Sequence, residues 1–131
     1  MKNEVKTAFV PQLVIKTGTM ELDFYTRAFG ATELRRWNNE DGSIHVAEMS
    51  IDGAFFHFHE EKSEAGIFSP DRYNGVTTII GLMVTDVDVL MTRAVAAGAR
   101  ETSPAQDYDY GYRQGAVIDP LGHRWLIEAV I

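Results

Sequence analysis

The sequence predicts an α+β domain built from two copies of one strand-helix-strands unit. Three observations predict it. Residues 10–31, VPQLVIKTGTMELDFYTRAFGA, and residues 79–99, IIGLMVTDVDVLMTRAVAAGA, each pass from an apolar strand through a short polar joint into an amphipathic helix. Each helix stops at a glycine followed by alanine, Gly30-Ala31 and Gly98-Ala99. Each copy is followed by strand-like sequence punctuated by turn formers, and about 60–70 residues separate the copies. One unit alone cannot bury its sheet, so two must pack together, and the seam between them is where a ligand would sit.

The elements follow in order. Val10 to Lys16 reads as a strand, with Pro11 near its start, where a missing N–H is tolerated. Thr17-Gly18-Thr19 is a joint in which either threonine can cap the next helix. Met20, Phe24 and Ala28 recur at helical spacing, with Glu21, Asp23 and Arg27 on the wet side. Thr32–Trp37, Ile44–Ile51 and Ala54–Glu60 read as strands joined by turns at Asp41-Gly42 and Asp52-Gly53. The first unit is therefore βαβββ. Residues 61–76 are rich in loop formers and read as a linker. Thr77–Thr85 is a strand, Asp86 caps a helix with Val87, Leu90, Met91, Ala94 and Val95 on its buried face, and Gly98 ends it. Residues 101–110 are polar and aromatic and read as a weak strand. Tyr112–Ile118 and Arg124–Val130 are strands joined by the turn Asp119-Pro120-Leu121-Gly122.

Bulk composition sets outer limits. The 131 residues suit one domain, expected as module one over about 8–61, a linker over 62–76 and module two over about 77–131. A formal net charge of −7 argues against nucleic acid or an anionic membrane surface as partner. With no cysteine there is no disulfide, thiolate nucleophile or thiolate metal site. The opening MKNEVKTAFVPQ lacks the apolar stretch of a signal peptide, and no apolar run approaches the roughly 18 residues that span a bilayer. The expectation is a cytoplasmic protein.

The runs DFYTRAFGA at 23–31, TDVDVLMTRAVAAGA at 85–99 and RQGAVIDPLGHRWLIE at 113–128 resemble the vicinal oxygen chelate superfamily, the glyoxalase / bleomycin-resistance protein / extradiol dioxygenase group. The resemblance covers about Val10 to Glu128. It implies paired βαβββ modules forming a curved mixed sheet around a cleft, often completed across a two-fold axis, hence a homodimer. Metal-dependent members carry ligands on the first and last strands of each module. In the simplest register those positions fall on Val10, His57, Ile79 and Leu126, of which only His57 can coordinate an ion. Shifted one strand step, Gln12, His57 (or His59) and Glu128 offer acceptable ligands for Zn, Ni, Mn or Fe.

The remaining candidates are read from residue chemistry. His57 and His59 sit in the aromatic run Phe55–His59 and suit ligand contact as well as a plain structural role. Glu48, mid-strand, is a candidate base, or pairs with Arg113 or Arg124. Tyr108, Tyr110 and Tyr112 flank Gly111 and can form an aromatic lid or an ordinary packed loop. Arg113 suits a carboxylate or phosphonate. Three functions stay open. The first is binding of a small organic ligand in the cleft without a metal. The second is a metal-dependent lyase, isomerase or dioxygenase using Gln12, His57 and Glu128, with Glu48 or Glu128 moving a proton. The third is a non-catalytic subunit with a filled cleft.

Overall fold

The computed structural model describes residues 4–131. Strand β1 (Gln12–Ile15), helix α1 (Asp23–Phe29) and strands β2 (Thr32–Asn38), β3 (Ile44–Ile51) and β4 (Ala54–Glu60) make module one. Strand β5 (Ile79–Met83), helix α2 (Val87–Ala96) and strands β6 (Arg100–Tyr108), β7 (Tyr112–Ile118) and β8 (Arg124–Val130) make module two. Each module has its own four-stranded mixed sheet, in the orders β1-β4-β3-β2 and β5-β8-β7-β6. The duplication extends to register. Parallel β1 and β4 pair Gln12 with His57, and parallel β5 and β8 pair Ile79 with Arg124, the same 45-residue separation in both.

Among the described residues the two sheets are separate hydrogen-bonded units, with β1 and β5 at their ends. What joins the modules is a shared aromatic core. Tyr25 of α1 lies 4.8 Å from Phe58 of its own sheet and 6.1 Å from Trp125 of the other. Phe29 lies 4.7 Å from Trp125. Apolar side chains on alternate strand positions, Phe56 and Phe58 on β4 and Trp125 and Ile127 on β8, are buried for this reason.

Two local expectations are corrected. Helix α1 begins only at Asp23, and neither Thr17 nor Thr19 caps it: Leu22 stands at the N-cap without a side-chain bond. The Thr19 hydroxyl instead donates to the Lys16 carbonyl at 2.6 Å, closing a tight turn, while the Thr19 carbonyl accepts from the Ile44 N–H. The Gly30 stop holds, in the left-handed conformation at φ 68°. The segment read as weak is a full nine-residue strand, β6. It is polar because it is the outer edge of its sheet, where charge and a proline at a register irregularity discourage further pairing. Helix α2 is capped as expected, with the Asp86 carboxylate accepting from the Val89 N–H at 3.1 Å, but Val95, expected on its buried face, is exposed near the end of the helix. Among the described residues no helix is long and apolar enough to cross a membrane.

The turn before β8 ties the modules a second time. Asp119 is buried, and its carboxyl accepts from the Tyr25 hydroxyl at 2.6 Å, the Trp125 indole N–H at 2.9 Å and the backbone N–H groups of Leu121 and His123. The His123 ring Nε2 lies 2.8 Å from the Val14 carbonyl of β1. Gly122, at φ +91°, lets the turn sit against Pro70, where an added Cβ would come within 2.8 Å.

Candidate functional site

Each sheet packs one face on the core and leaves the other open, and each open face carries a row of side chains across all four strands, polar throughout on sheet one and polar on three strands of sheet two. On sheet one the row is Gln12, His57, Glu48 and Arg35, cross-strand neighbours in sequence. Glu48 pairs with neither Arg113 nor Arg124. Arg35, directly opposite across the β2–β3 hairpin, holds it with two N–H donors at 2.9 and 3.3 Å. That hydrogen bond and the adjacent positive charge keep the Glu48 carboxyl below the usual glutamate range, with His57 contributing at 4.0 Å. A carboxylate so held is a weak base, which leaves Glu48 ill suited to taking a proton. We expect the Glu48 resonance in carbon-detected NMR to titrate below that of an ordinary glutamate and to move upward in Arg35→Ala. An unchanged titration in that variant would break the assignment. The sign is that of a depressed acid: its contribution to stability is present above the unfolded value and is lost as pH falls through the folded one.

His59 is tied locally. Its Nδ1 lies 2.6 Å from the Glu60 carbonyl and its ring 5.1 Å from that of His45.

On sheet two the row is Gln106, Gln114, Glu128 and Met83. The Gln114 amide donates to Glu128 Oε1 at 2.9 Å, and the Tyr110 hydroxyl donates to Gln114 Oε1. Tyr108 stacks on Tyr110 with centroids 5.3 Å apart. Arg113 takes no part. Its guanidinium is gripped by Asp88 of α2 at 2.9 Å and Asp107 at 3.0 Å, which drive its pKa upward. A fork already filled by two carboxylates offers little to a ligand anion.

The donors suggested for a metal are thus divided. Gln12 and His57 stand side by side on sheet one, and Glu128 stands on sheet two. Among the described residues no three His, Asp or Glu side chains gather into a set able to hold an ion.

A separate space lies at the seam. A cavity of about 680 Å³ opens between the edge of β1, the edge of β5 and the linker that joins the modules. Leu13, Val14 and Ile80 form its floor, Phe68 and Tyr73 its outer wall, and Gln12, Thr77, Thr78 and His123 its polar points. Of the residues singled out in the sequence, only Gln12 reaches it as a site candidate. The linker wall is ordered by Glu61, whose carboxylate accepts from the Ser69 N–H at 3.0 Å and from its hydroxyl. Those bonds hold Glu61 below the usual range. Phe68 packs edge-on to Tyr73 at 5.5 Å and under Arg72 at 4.7 Å. Two aromatic residues within a stretch of loop formers were the available signal for this wall.

A model of the Glyoxalase/Bleomycin resistance protein/Dioxygenase superfamily matches residues 13–127. The chain is 34% identical to the uncharacterized protein Mb0911c of Mycobacterium bovis over 128 residues, covering 95% of this chain and 84% of that one. Among solved structures it is similar to TioX from Micromonospora sp. ML1, with 26% identity, a TM-score of 0.67 and coverage of 95% and 97%. A gene product of Arabidopsis thaliana superposes with a TM-score of 0.70 at 25% identity, covering 94% and 98%. FosX, the fosfomycin resistance protein of Listeria monocytogenes, solved with Mn(II) and a dihydroxypropylphosphonic acid, shares the fold at 18% identity, a TM-score of 0.67 and coverage of 97% and 90%.

Proposed function

The chain belongs to the Glyoxalase/Bleomycin resistance protein/Dioxygenase superfamily, and from that premise we propose that it binds an uncharged small organic molecule in the seam between its modules. The seam cavity carries this reading. Its volume is that of a small-molecule site. No Asp, Glu, Lys or Arg lines it among the described residues, so a ligand charge would lose its water there without gaining a partner. Aromatic side chains supply contact area, and Gln12, Thr77 and Thr78 supply hydrogen bonds that orient the ligand. The His123 imidazole is engaged through Nε2 with the Val14 carbonyl and the Ser69 hydroxyl with Glu61, which favours binding over turnover.

The test uses N-phenyl-1-naphthylamine, a neutral fluorescent probe, against its anionic sulfonate analogue. We expect the neutral probe to bind more tightly, and Thr78→Trp, which fills the cavity from an exposed position, to weaken it by about tenfold or more, the worth of a well-packed aromatic contact. Equal binding of both probes, or an unaffected Thr78→Trp, would refute the reading.

We also read the chain as a homodimer. The support is the set of large apolar side chains left exposed on both open faces, such as Phe55 on β4, Ile79 and Met83 on β5 and Val130 on β8. Light scattering at micromolar concentration should give twice the 14.7 kDa chain mass; a monomer across that range would overturn it.

A further inference from the structure

We propose that Glu128 is the recognition point of a second site, on the open face of sheet two, for the cationic nitrogen of a small aromatic or alkyl ammonium compound. The site shares none of the seam cavity's residues, so it stands or falls separately from that reading of the seam, while Ile79 and Met83 belong also to the face read above as the dimer contact.

The proposal starts from hydrogen-bond direction. Gln114 donates its amide N–H to Glu128 Oε1 at 2.9 Å. Its own carbonyl oxygen is thereby turned away and accepts the Tyr110 hydroxyl proton. A glutamine and a tyrosine therefore fix one carboxyl oxygen of Glu128 and leave the other without a donor. That second oxygen, Oε2, accepts no hydrogen bond among the described residues and is open to solvent. The ion pairs of the chain are made by other carboxylates, so no Lys or Arg among the described residues covers it.

The backbone opposite is shaped to hold that oxygen. On β5, beside Glu128, stands Gly81, and a Cβ built there would lie 3.0 Å from Oε2. The missing side chain is a notch into which the carboxylate leans, with Ile79 and Met83 exposed on either side along the strand. Across the sheet the Tyr108–Tyr110 stack and Tyr112, 6.0 Å from Tyr110, present aromatic surface. Gln106 holds the Tyr108 hydroxyl at 3.0 Å, so the outer ring is fixed as well.

A carboxylate oxygen pre-aimed by two partners, apolar flanks and aromatic faces together recognise one chemistry: an N–H-bearing cation attached to an apolar body. The oxygen takes a charge-assisted hydrogen bond, and the rings add cation–π attraction. The chain's net charge of −7 draws cations toward it and repels anions. The Tyr110 hydroxyl, raised by desolvation and by the nearby charges of Tyr108, Glu128 and Asp109, stays protonated and keeps the relay pointing one way.

Three probes separate the contributions. Benzylammonium carries charge and donors, benzyltrimethylammonium carries charge alone, and benzyl alcohol carries neither charge. Each is titrated into the full chain while the backbone amides of Gly81, Tyr110 and Glu128 are followed by NMR. The expected order is benzylammonium, then benzyltrimethylammonium, then benzyl alcohol, with the first about tenfold tighter than the last. Glu128→Gln, which keeps the shape and the bond from Gln114 by an amide flip, should bring benzylammonium down to the level of the alcohol. Gly81→Ala keeps the carboxylate charge but fills the notch, and should weaken benzylammonium severalfold while thermal melting reports an intact fold. Equal affinity for all three probes, or undiminished benzylammonium binding in Glu128→Gln, would overturn the proposal. So would a Glu128→Gln variant that loses self-association, because a basic side chain of a second copy would then be the occupant.

Discussion

Replacing Asp119 with Ala should lower the unfolding free energy by about 3–5 kcal/mol, the largest loss expected from any polar position in this chain. The Tyr25 hydroxyl and the Trp125 indole N–H are both buried, and both end on this one carboxyl. Without it each donor is left unpaired at about 1–3 kcal/mol apiece, and the turn N–H groups of Leu121 and His123 lose their acceptor as well. Asp119→Asn should fall between Ala and wild type. An amide oxygen can serve the two backbone donors, but the amide N–H₂ then faces an indole N–H that cannot accept from it. Tyr25→Phe should cost about 1–2 kcal/mol, and the double variant with Asp119→Ala less than the two together, because they share one bond. Urea unfolding measures all of these. An Asp119→Ala variant within about 1 kcal/mol of wild type would mean that the modules are joined by apolar packing alone. There is also a pH signature. Burial, then Asp119, raises the Tyr25 hydroxyl well above its ordinary value of 10.0. Below pH 10 its contribution is whole. As pH rises through 10 the unfolded chain gives up that proton and the folded one does not, so stability falls. Alkaline destabilisation should be shallower in Tyr25→Phe than in wild type.

Why the sequence revealed the modules and not the site follows from which information is local. Gly30, Gly98, Asp86 and the Asp-Pro-Leu-Gly turn act within a few residues of themselves, and each sits where its local chemistry places it. The start of α1 departs from the expected cap because a threonine near a helix can bond a carbonyl before it as well as an amide after it, and Thr19 bonds the Lys16 carbonyl. β6 gives only a weak signal in the sequence because edge strands carry polar residues that discourage further pairing. The pairing of Glu48 with Arg35 was within reach, since the hairpin turn at Asn39–Gly42 sets them opposite, but only if register is followed residue by residue. The bond from Tyr25 to Asp119 spans 94 residues, and the seam cavity is walled by a linker whose fold depends on Glu61 reaching Ser69. Such contacts arise from tertiary closure, and no periodicity announces them.

The two tryptophans should separate sharply. Trp125 is 2% exposed and Trp37 44%. Trp125 lies 4.7 Å from Phe29, with Tyr25 and Phe56 both at 6.1 Å, and its N–H anchors Asp119. Trp125→Ala should cost about 3–5 kcal/mol, from lost contact area and from a cavity that rigid strands on both sides cannot close. Trp125→Phe should recover part of this, the remainder being the lost indole bond to Asp119, whose carboxyl keeps the Tyr25 hydroxyl and two backbone donors. Trp37 lies on the open face of sheet one with the Arg35 guanidinium 5.0 Å from its ring centre. Trp37→Ala should cost about 0.5–1 kcal/mol, the worth of an exposed cation–π contact. Fluorescence gives an independent readout, with Trp125 emitting at shorter wavelength than Trp37 in the two single-tryptophan variants. Because Trp125 belongs to module two and its ring neighbours to module one, its removal also distinguishes two pictures of the domain. If the modules are separable units, Trp125→Ala should unfold in two steps. If the aromatic seam makes them one cooperative unit, as the shared burial of Tyr25, Phe29 and Trp125 implies, the transition should stay single and simply move to lower denaturant.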